Sequence, residues 1–320
     1  MATIGKDVLK AAALLRSGEV VAIPTETVYG LAANAFDVDA ALKVFEVKQR
    51  PSFDPLIVHI GRMEQLHDVV ADVPPEAQAL IDRVWPGPLT LVLPKQQRVP
   101  DIVTSGLDTV GVRMPAHPLT LELLRSLDFP LAAPSANPFG YVSPTTAQHV
   151  ADQLGEQVPY ILDGGPCSVG VESTIIGFEP VPVLYRAGGI PVEEIEALIG
   201  PVSTTTPHSL GEGPGVRSPG MLLSHYAPRK RVIVGDVPDL MRTHQGKRIG
   251  VISFSQDHGA AINEVLSPSG DLHEAARGLF AALRRLDSSH VDLILAEVFP
   301  EEGLGRAIND RLRRAAGGVA

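Results

Sequence analysis

Along the first two hundred residues, short apolar runs alternate with stretches whose apolar residues recur at helical spacing. Residues 7–17 read as a short amphipathic helix closed by Gly18 at the C′ position. A strand, VVAIP, and a loop, TETVYG, follow it. Ala40, Ala41, Val44 and Phe45 then recur at helical spacing behind Asp37 and Asp39, which cap and charge an N-terminus. Pro51 stops that helix, because a proline restricts the residue before it and supplies no N–H. Residues 56–60 read as a buried strand carrying one histidine, His59. Helices near residues 63–70 and 75–85 end at Trp85-Pro86-Gly87-Pro88, which breaks the chain before the strand LTLVLP. TVGVRM is a further strand, residues 118–127 a helix, LAAPSANPFG a strand running into a loop, and residues 145–154 a helix. YILDGG, STIIGF and PVLYRAG are three short strands, and a helix over residues 192–199 closes the unit at Gly200. The mixture lacks a steady βαβ alternation. It predicts an α/β fold built on one open, twisted mixed sheet with flanking helices.

The pattern changes after residue 200. STTTPHSLGEGPGVRSPG has linker composition, yet it runs into MLLSHYAP, which is more apolar than a solvated tether requires. RVIVG, RIGVISF and VDLILAEV then read as buried strands, with helices at residues 272–286 and 303–314. This predicts a smaller, Rossmann-like α/β domain of doubly wound type. The expected organisation is a first domain over residues 1–200, a linker or lid over 201–229 and a C-terminal domain over 230–320.

Composition narrows the function. A formal charge of −10 argues against a broad nucleic-acid-binding face. The acidity is local: residues 1–200 hold 13 Lys/Arg against 24 Asp/Glu, and residues 201–320 hold 14 against 13. A single cysteine, Cys167, excludes an intramolecular disulfide and a Cys-rich metal site. No apolar run approaches the ~18 residues of a spanning helix, and no secretory leader is legible, so a cytoplasmic protein without membrane partners is expected.

Candidate chemistry sits where polar residues meet element ends. No P-loop, nucleophile elbow or HExxH motif is present. Lys48 and Arg50 stand one residue apart at a helix exit, where they either face an anionic ligand or simply complement the helix C-terminus. As exit residues they are expected to cost roughly 1 kcal/mol or less of stability when removed. Thr25, Glu26 and Thr27 lie on a tight loop. Arg113 stands in an apolar strand and needs a partner, either a carboxylate ligand or a structural acid. Ser135, Ala136, Asn137 and Ser143 bracket a Pro/Gly loop. Glu172, Ser173 and Thr174 open one strand, and Arg186 ends another. Together these residues suit a pocket for a polyanionic or carboxylate substrate.

PTETVYGL, K-x-R-P with PLIVH, TVGVRMP, APSAN with SPT, GGP…G-x-EST-I and R-x-G resemble the YrdC-domain family. SPGMxxxHYAP and the second α/β domain resemble the long, two-domain threonylcarbamoyl-AMP synthases within that family. The resemblance runs in order along almost the whole chain. It implies a nucleotidyltransferase that uses L-threonine, bicarbonate and ATP to form threonylcarbamoyl-adenylate and pyrophosphate. The product would feed threonylcarbamoyladenosine modification of tRNA through a downstream transfer machinery. By the same resemblance, Thr27, His59, Arg113, Ala133 and Ser173 fall where the family binds threonine. Arg50, Asp54, Thr109, Ser135, Asn137, Ser143, Arg186 and Tyr226 fall where it binds ATP. Lys48 and Arg50 are the catalytic candidates of the K-x-R signature, and magnesium is expected on the phosphates with no protein ligand assignable. This chain departs from the family's P-x-D-N-P by reading Pro51-Ser52-Phe53-Asp54-Pro55. A carboxylate at position 54 is an awkward neighbour for phosphate and is better matched to ribose hydroxyls or magnesium.

Two other readings compete. A module that binds RNA is disfavoured by the acidity of residues 1–200, and no stable nucleic-acid complex is expected. A carbamoyl-transfer domain of the hydrogenase-maturation type would carry zinc-binding cysteines, which this chain lacks. The apolar segment over residues 218–228 is expected to fold back over the pocket as a lid, because a mixed anhydride is labile in water.

Overall fold

The structure, a computed structural model, describes residues 2–178, 180–204 and 226–317. The first sheet, as described, has eleven strands: β1 (Thr3–Gly5), β2 (Val21–Ile23), β3 (Gly30–Asn34), β4 (Ile57–His59), β5 (Leu89–Pro94), β6 (Thr109–Arg113), β7 (Leu131–Ala132), β8 (Tyr160–Leu162), β9 (Thr174–Phe178), β10 (Pro182–Arg186) and β11 (Ser203–Thr204). Their order across the sheet is β1-β8-β2-β3-β7-β4-β6-β5-β9-β10-β11. β4 and β6 are parallel neighbours, while β5–β6, β4–β7 and β9–β10 are antiparallel. The sheet is therefore mixed, as the sequence predicts.

Alternation along the strands gives the two faces different work. Val58, Leu91, Leu93, Val110 and Val112 join the main core with the helices Val38–Lys48 and Pro75–Val84. The opposite face carries Ile57, Val92 and Ile175 as a small apolar cluster, with His59 and Arg113 beside it. The helix Val38–Lys48 begins at Asp37, whose carboxylate accepts from the amides of Asp39 and Ala40. It ends at Gln49, which adopts a left-handed φ of 51° and turns Arg50 inward.

The second sheet is wholly parallel, in the order β12 (Val232–Val234), β15 (Leu293–Ala296), β13 (Ile249–Ser253), β14 (Ile262–Val265). Val251, Leu293 and Leu295 pack on one side with Val237 from the helix Val237–Thr243. Ile252, Ile294 and Ala296 pack on the other with Leu279, Phe280, Ile308 and Leu312, from the helices Leu272–Ser288 and Gly305–Ala315. That core also takes in Val28, Val142, Val171 and Tyr226, so it is continuous with the first domain. Contact is close enough that a Cβ on Gly170, at φ +83°, would lie 2.4 Å from the Cα of Arg277. Among the described residues, no helix is long and apolar enough to cross a membrane.

Several strands were not legible in the pattern. GLAAN at β3 shows no alternation because both its faces are buried, and β1, β11 and β14 are short, partly exposed edge or near-edge segments. The expected lid over residues 218–228 lies outside the described residues up to 225.

Candidate active site

The cavity lies on the face of the first sheet opposite the main core, rather than only at strand ends. Ile57 and His59 project from β4, and His59 is in register with Arg113 on β6. Loops after β2 and β7 supply Thr25, Thr27, Ala133 and Ser135 to the rim, and Arg50, Ser173, Arg186 and Tyr226 complete it. The enclosed space is about 50 Å³.

At one end, the buried Arg113 has the structural acid its strand demanded. Its Nη2 donates to Glu26 Oε1 at 2.5 Å, Nη1 to the Thr27 hydroxyl at 3.0 Å, and Nε to the Gly87 carbonyl at 3.2 Å. A guanidinium has five N–H donors, so these three bonds leave two for a ligand. Glu26 also accepts from the amide of Ala116 through Oε2, which fixes the carboxylate from both sides. The hydroxyls of Thr25 and Thr27 lie 2.8 Å apart, and Thr25 accepts from the Thr27 and Val28 amides, so the loop is held by its own side chains.

His59 is buried, and desolvation, reinforced by Arg113, lowers its pKa to about 3 despite nearby backbone carbonyls. The ring is neutral at pH 7. Its Nδ1 lies 3.1 Å from the Ile57 carbonyl, which can only accept, so the proton is on Nδ1 and Nε2 is the acceptor. The Ser173 hydroxyl lies 2.8 Å from that of Thr90. Ala133 contributes an apolar group to the lining.

At the other end, Arg50 and Arg186 are both buried, and desolvation lowers both from the usual arginine value. Arg50 donates through Nε to the Asp54 carbonyl at 3.0 Å and through Nη2 to the Pro55 carbonyl at 2.9 Å. Arg186 donates through Nε and Nη2 to the Ser173 carbonyl and through Nη2 to its hydroxyl, at 3.1, 3.0 and 3.1 Å. Asp54 is fully buried, with Oδ2 2.9 Å from Arg50 Nη2, yet neither carboxylate oxygen has a hydrogen-bond partner. Desolvation raises its pKa, opposed by Arg50, Lys48 and Arg186.

Several expected residues support the cavity without lining it. The ammonium of Lys48 is turned away and donates to the carbonyls of Ser135 and Asn137. Burial, together with Arg50, lowers its pKa well below the ordinary lysine value. The Asn137 amide donates to the carbonyls of Pro138 and Tyr141 at 2.8 Å each. These two side chains pin the loop that carries Ser135. Ser143 donates to Glu172 Oε1 at 2.5 Å. Thr109 is not brought to this cavity: it borders a separate crevice with Pro55, Thr90 and Thr104.

One stability expectation is corrected. Lys48 and Arg50 are not exposed exit cations but lie only 1% and 8% accessible. Removing Arg50 strands the buried Asp54 carboxylate, a change that costs about 3–5 kcal/mol rather than 1.

The C-terminal domain contributes directly, which the sequence did not disclose. Arg311, on the helix Gly305–Ala315, is completely buried and donates through Nε to Glu172 Oε2 at 2.8 Å. Its guanidinium also donates to Asp310 at 2.5 Å and to the Ala187 carbonyl at 2.9 Å, and lies 5.1 Å from the centre of the Tyr226 ring. Burial opposes ionisation of Glu172, but Arg311, Arg186 and the Ser143 hydroxyl together hold its carboxyl below the usual range. Tyr226 has a φ of 62°, is buried, and stacks on Phe280 at 5.6 Å. The one available signal for Arg311 was its place in the stripe of Ala307, Ile308, Leu312 and Ala315.

Comparison with known proteins follows the same two-part division. A family model described as "Telomere recombination" matches residues 13–188, and one described as "Threonylcarbamoyl-AMP synthase, C-terminal domain" matches residues 190–317. The threonylcarbamoyl-AMP synthase of Pyrococcus abyssi is 48% identical over 323 residues, covering 96% of this chain and 93% of its own. The enzyme of the same name from Bacillus subtilis is 45% identical over 330 residues, covering 99% and 95%. A crystal structure of P. abyssi Sua5 complexed with L-threonine superposes with a TM-score of 0.92 at 44% identity, covering 99% of this chain and 98% of that one.

Proposed function

The chain belongs to the threonylcarbamoyl-AMP synthase family, and from that premise we propose how its own residues divide the reaction. The reaction condenses L-threonine, bicarbonate and ATP into threonylcarbamoyl-adenylate and pyrophosphate. The deprotonated threonine amine adds to carbon dioxide drawn from bicarbonate. An oxygen of the resulting carbamate then attacks the α-phosphorus, and pyrophosphate leaves.

The observation that carries the division is the placing of two unlike groups of donors in one cavity. Arg113, with two donors to spare, takes the threonine carboxylate. Neutral His59 accepts from the amino acid at Nε2, since an imidazole with a pKa of about 3 is too weak a base to remove an ammonium proton at neutral pH. Thr27 and Ser173 bond the threonine hydroxyl, and Ala133 accepts its methyl group.

Arg50 and Arg186 take the phosphates of ATP. Negative charge grows on the phosphoryl oxygens and on departing pyrophosphate, so fixed cations stabilise the transition state more than the ground state. Ser135 holds the nucleotide, Ser143 braces Glu172 behind the lining, and Tyr226 closes the wall. Lys48 and Asn137 act through the loop they pin. Holding both substrates on one sheet face supplies the orientation a three-component condensation requires.

Magnesium enters with ATP as part of the substrate. Among the described residues no group of three His, Cys, Asp or Glu forms a metal cage, and Glu26, Asp54 and Glu172 each face an arginine. The product would pass to the enzyme that transfers the threonylcarbamoyl group to tRNA, and a cytoplasmic setting fits that role.

The test is pyrophosphate release from ATP with threonine and bicarbonate, each omitted in turn. Release should require all three; release that is indifferent to threonine would refute the reading.

A further inference from the structure

Arg311 is the largest fully buried side chain among the described residues, and it belongs to the domain that does not carry the sheet of the active site. Such a charge is retained only where each donor finds a partner. Besides Asp310 on its own helix, its partners come from three separate segments beside the cavity. Glu172 belongs to the segment preceding β9, Ala187 follows Arg186 directly, and Tyr226 is the ring under the guanidinium. Glu172 spends its second oxygen on the hydroxyl of Ser143. None of these bonds reaches Thr27, His59 or Arg113.

We propose that Arg311 is a positioning residue of the catalytic site. It holds Ser143 through Glu172, the end of β10 through Ala187, and the Tyr226 ring by contact with its face. The C-terminal domain thereby completes the nucleotide half of the cavity and borders the threonine half only at Ser173, beside Glu172 and under Arg186, with no bond to Thr27, His59 or Arg113. This rests on the division of the cavity made above. A domain that served only to stabilise the first would have no reason to act on one substrate more than the other. A second set of contacts brings the same two parts together. Arg284 Nε donates to the Ser143 carbonyl at 3.3 Å, its Nη2 to the Val142 carbonyl and to Gln153 Oε1 at 3.0 Å, and the Tyr141 hydroxyl donates to Asp287 Oδ2 at 2.5 Å. Those bonds hold the domains together irrespective of Arg311, so its loss need not undock them.

The experiment uses the full chain. Arg311→Met should raise the KM for ATP about tenfold or more, with kcat reduced less than threefold and the L-threonine Kd from calorimetry within twofold of wild type. Arg311→Lys keeps the charge but not the planar fork, and should recover part of the ATP affinity. If Arg311→Met fails to fold, the paired variant R311M/E172Q removes both buried charges and should show the same rise in KM for ATP. A KM for ATP within twofold of wild type in a folded variant overturns the proposal, as does an equal loss of affinity for both substrates. Calorimetric titration of each variant with ATP and with L-threonine compares the two affinities even if pyrophosphate release is absent. Failure of the overall reaction would therefore be told apart from failure of this coupling.

Discussion

The two ends of the cavity are built by different means. The threonine end is largely local: β4, β6 and the loop after β2 provide His59, Arg113 and Thr27, Glu26 balances the arginine from the same loop, and Ser173, held by Arg186, is its link to the other end. The nucleotide end is assembled over long distance, from a helix exit, two strand ends and a helix of the other domain. A pair that is local can be fixed by one loop conformation. A site for a long polyanion needs cations on several sides, and in this acidic first domain they are brought in from separate elements. The difference implies that damage to the threonine end should stay local, whereas damage to the nucleotide end should spread to packing and domain docking.

The largest effect should come from Arg50. Arg50→Ala should lower pyrophosphate release at least about a hundredfold, the scale of removing one fixed electrostatic contact to a transition state. It should also lower stability by several kcal/mol, read from urea midpoints, because Asp54 is left buried and unpaired. An unchanged midpoint would show that this end is not coupled to the fold. Arg113→Lys tests the opposite end: the KM for threonine should rise roughly tenfold or more as the two spare donors are lost, while ATP affinity stays within twofold. A matching loss of ATP affinity would remove the distinction between the ends.

The smallest effect is a pH dependence of stability. The folded His59 has its pKa depressed to about 3, so between that value and the unfolded value near 6.5 the unfolded chain binds the extra proton. Stability contributed by the neutral ring is complete above about pH 6.5 and falls as pH drops, at a slope approaching about 1.4 kcal/mol per pH unit for this group. His59→Gln should flatten the fall in denaturation midpoints between pH 6 and 4. A curve with the wild-type slope would show that the ring is not held neutral by burial.

Much of the framework was legible because its elements obey simple periods. The helix behind Asp37 is marked by a cap, an apolar stripe and a proline stop. The polar residues at element ends, Arg50, Arg113, Ser173 and Arg186, do converge. What could not be read was their company. Glu26 and Glu172 are ordinary surface residues by composition, and only tertiary pairing explains why they are buried. Periodicity says which helical positions face inward, not that an arginine at one of them has a carboxylate waiting in another domain. For the same reason the sequence left open whether Lys48 and Arg50 face a ligand or only the helix end, and did not show that both are buried. Thr109, at the opposite end of β6 from Arg113, falls toward another crevice because four residues of strand span more than ~10 Å.

The pairing of Glu172 with Arg311 also bears on how the protein comes into being on the ribosome. The 125 residues from Ala187 to Arg311 require roughly 6–25 s to synthesise at about 5–20 residues per second. Throughout that interval the Glu172 carboxylate lacks the guanidinium that covers it in the finished chain. Water and counterions must occupy the wall that Arg311 will later seal. Only once the helix Gly305–Ala315 has emerged can the nucleotide wall take its finished form.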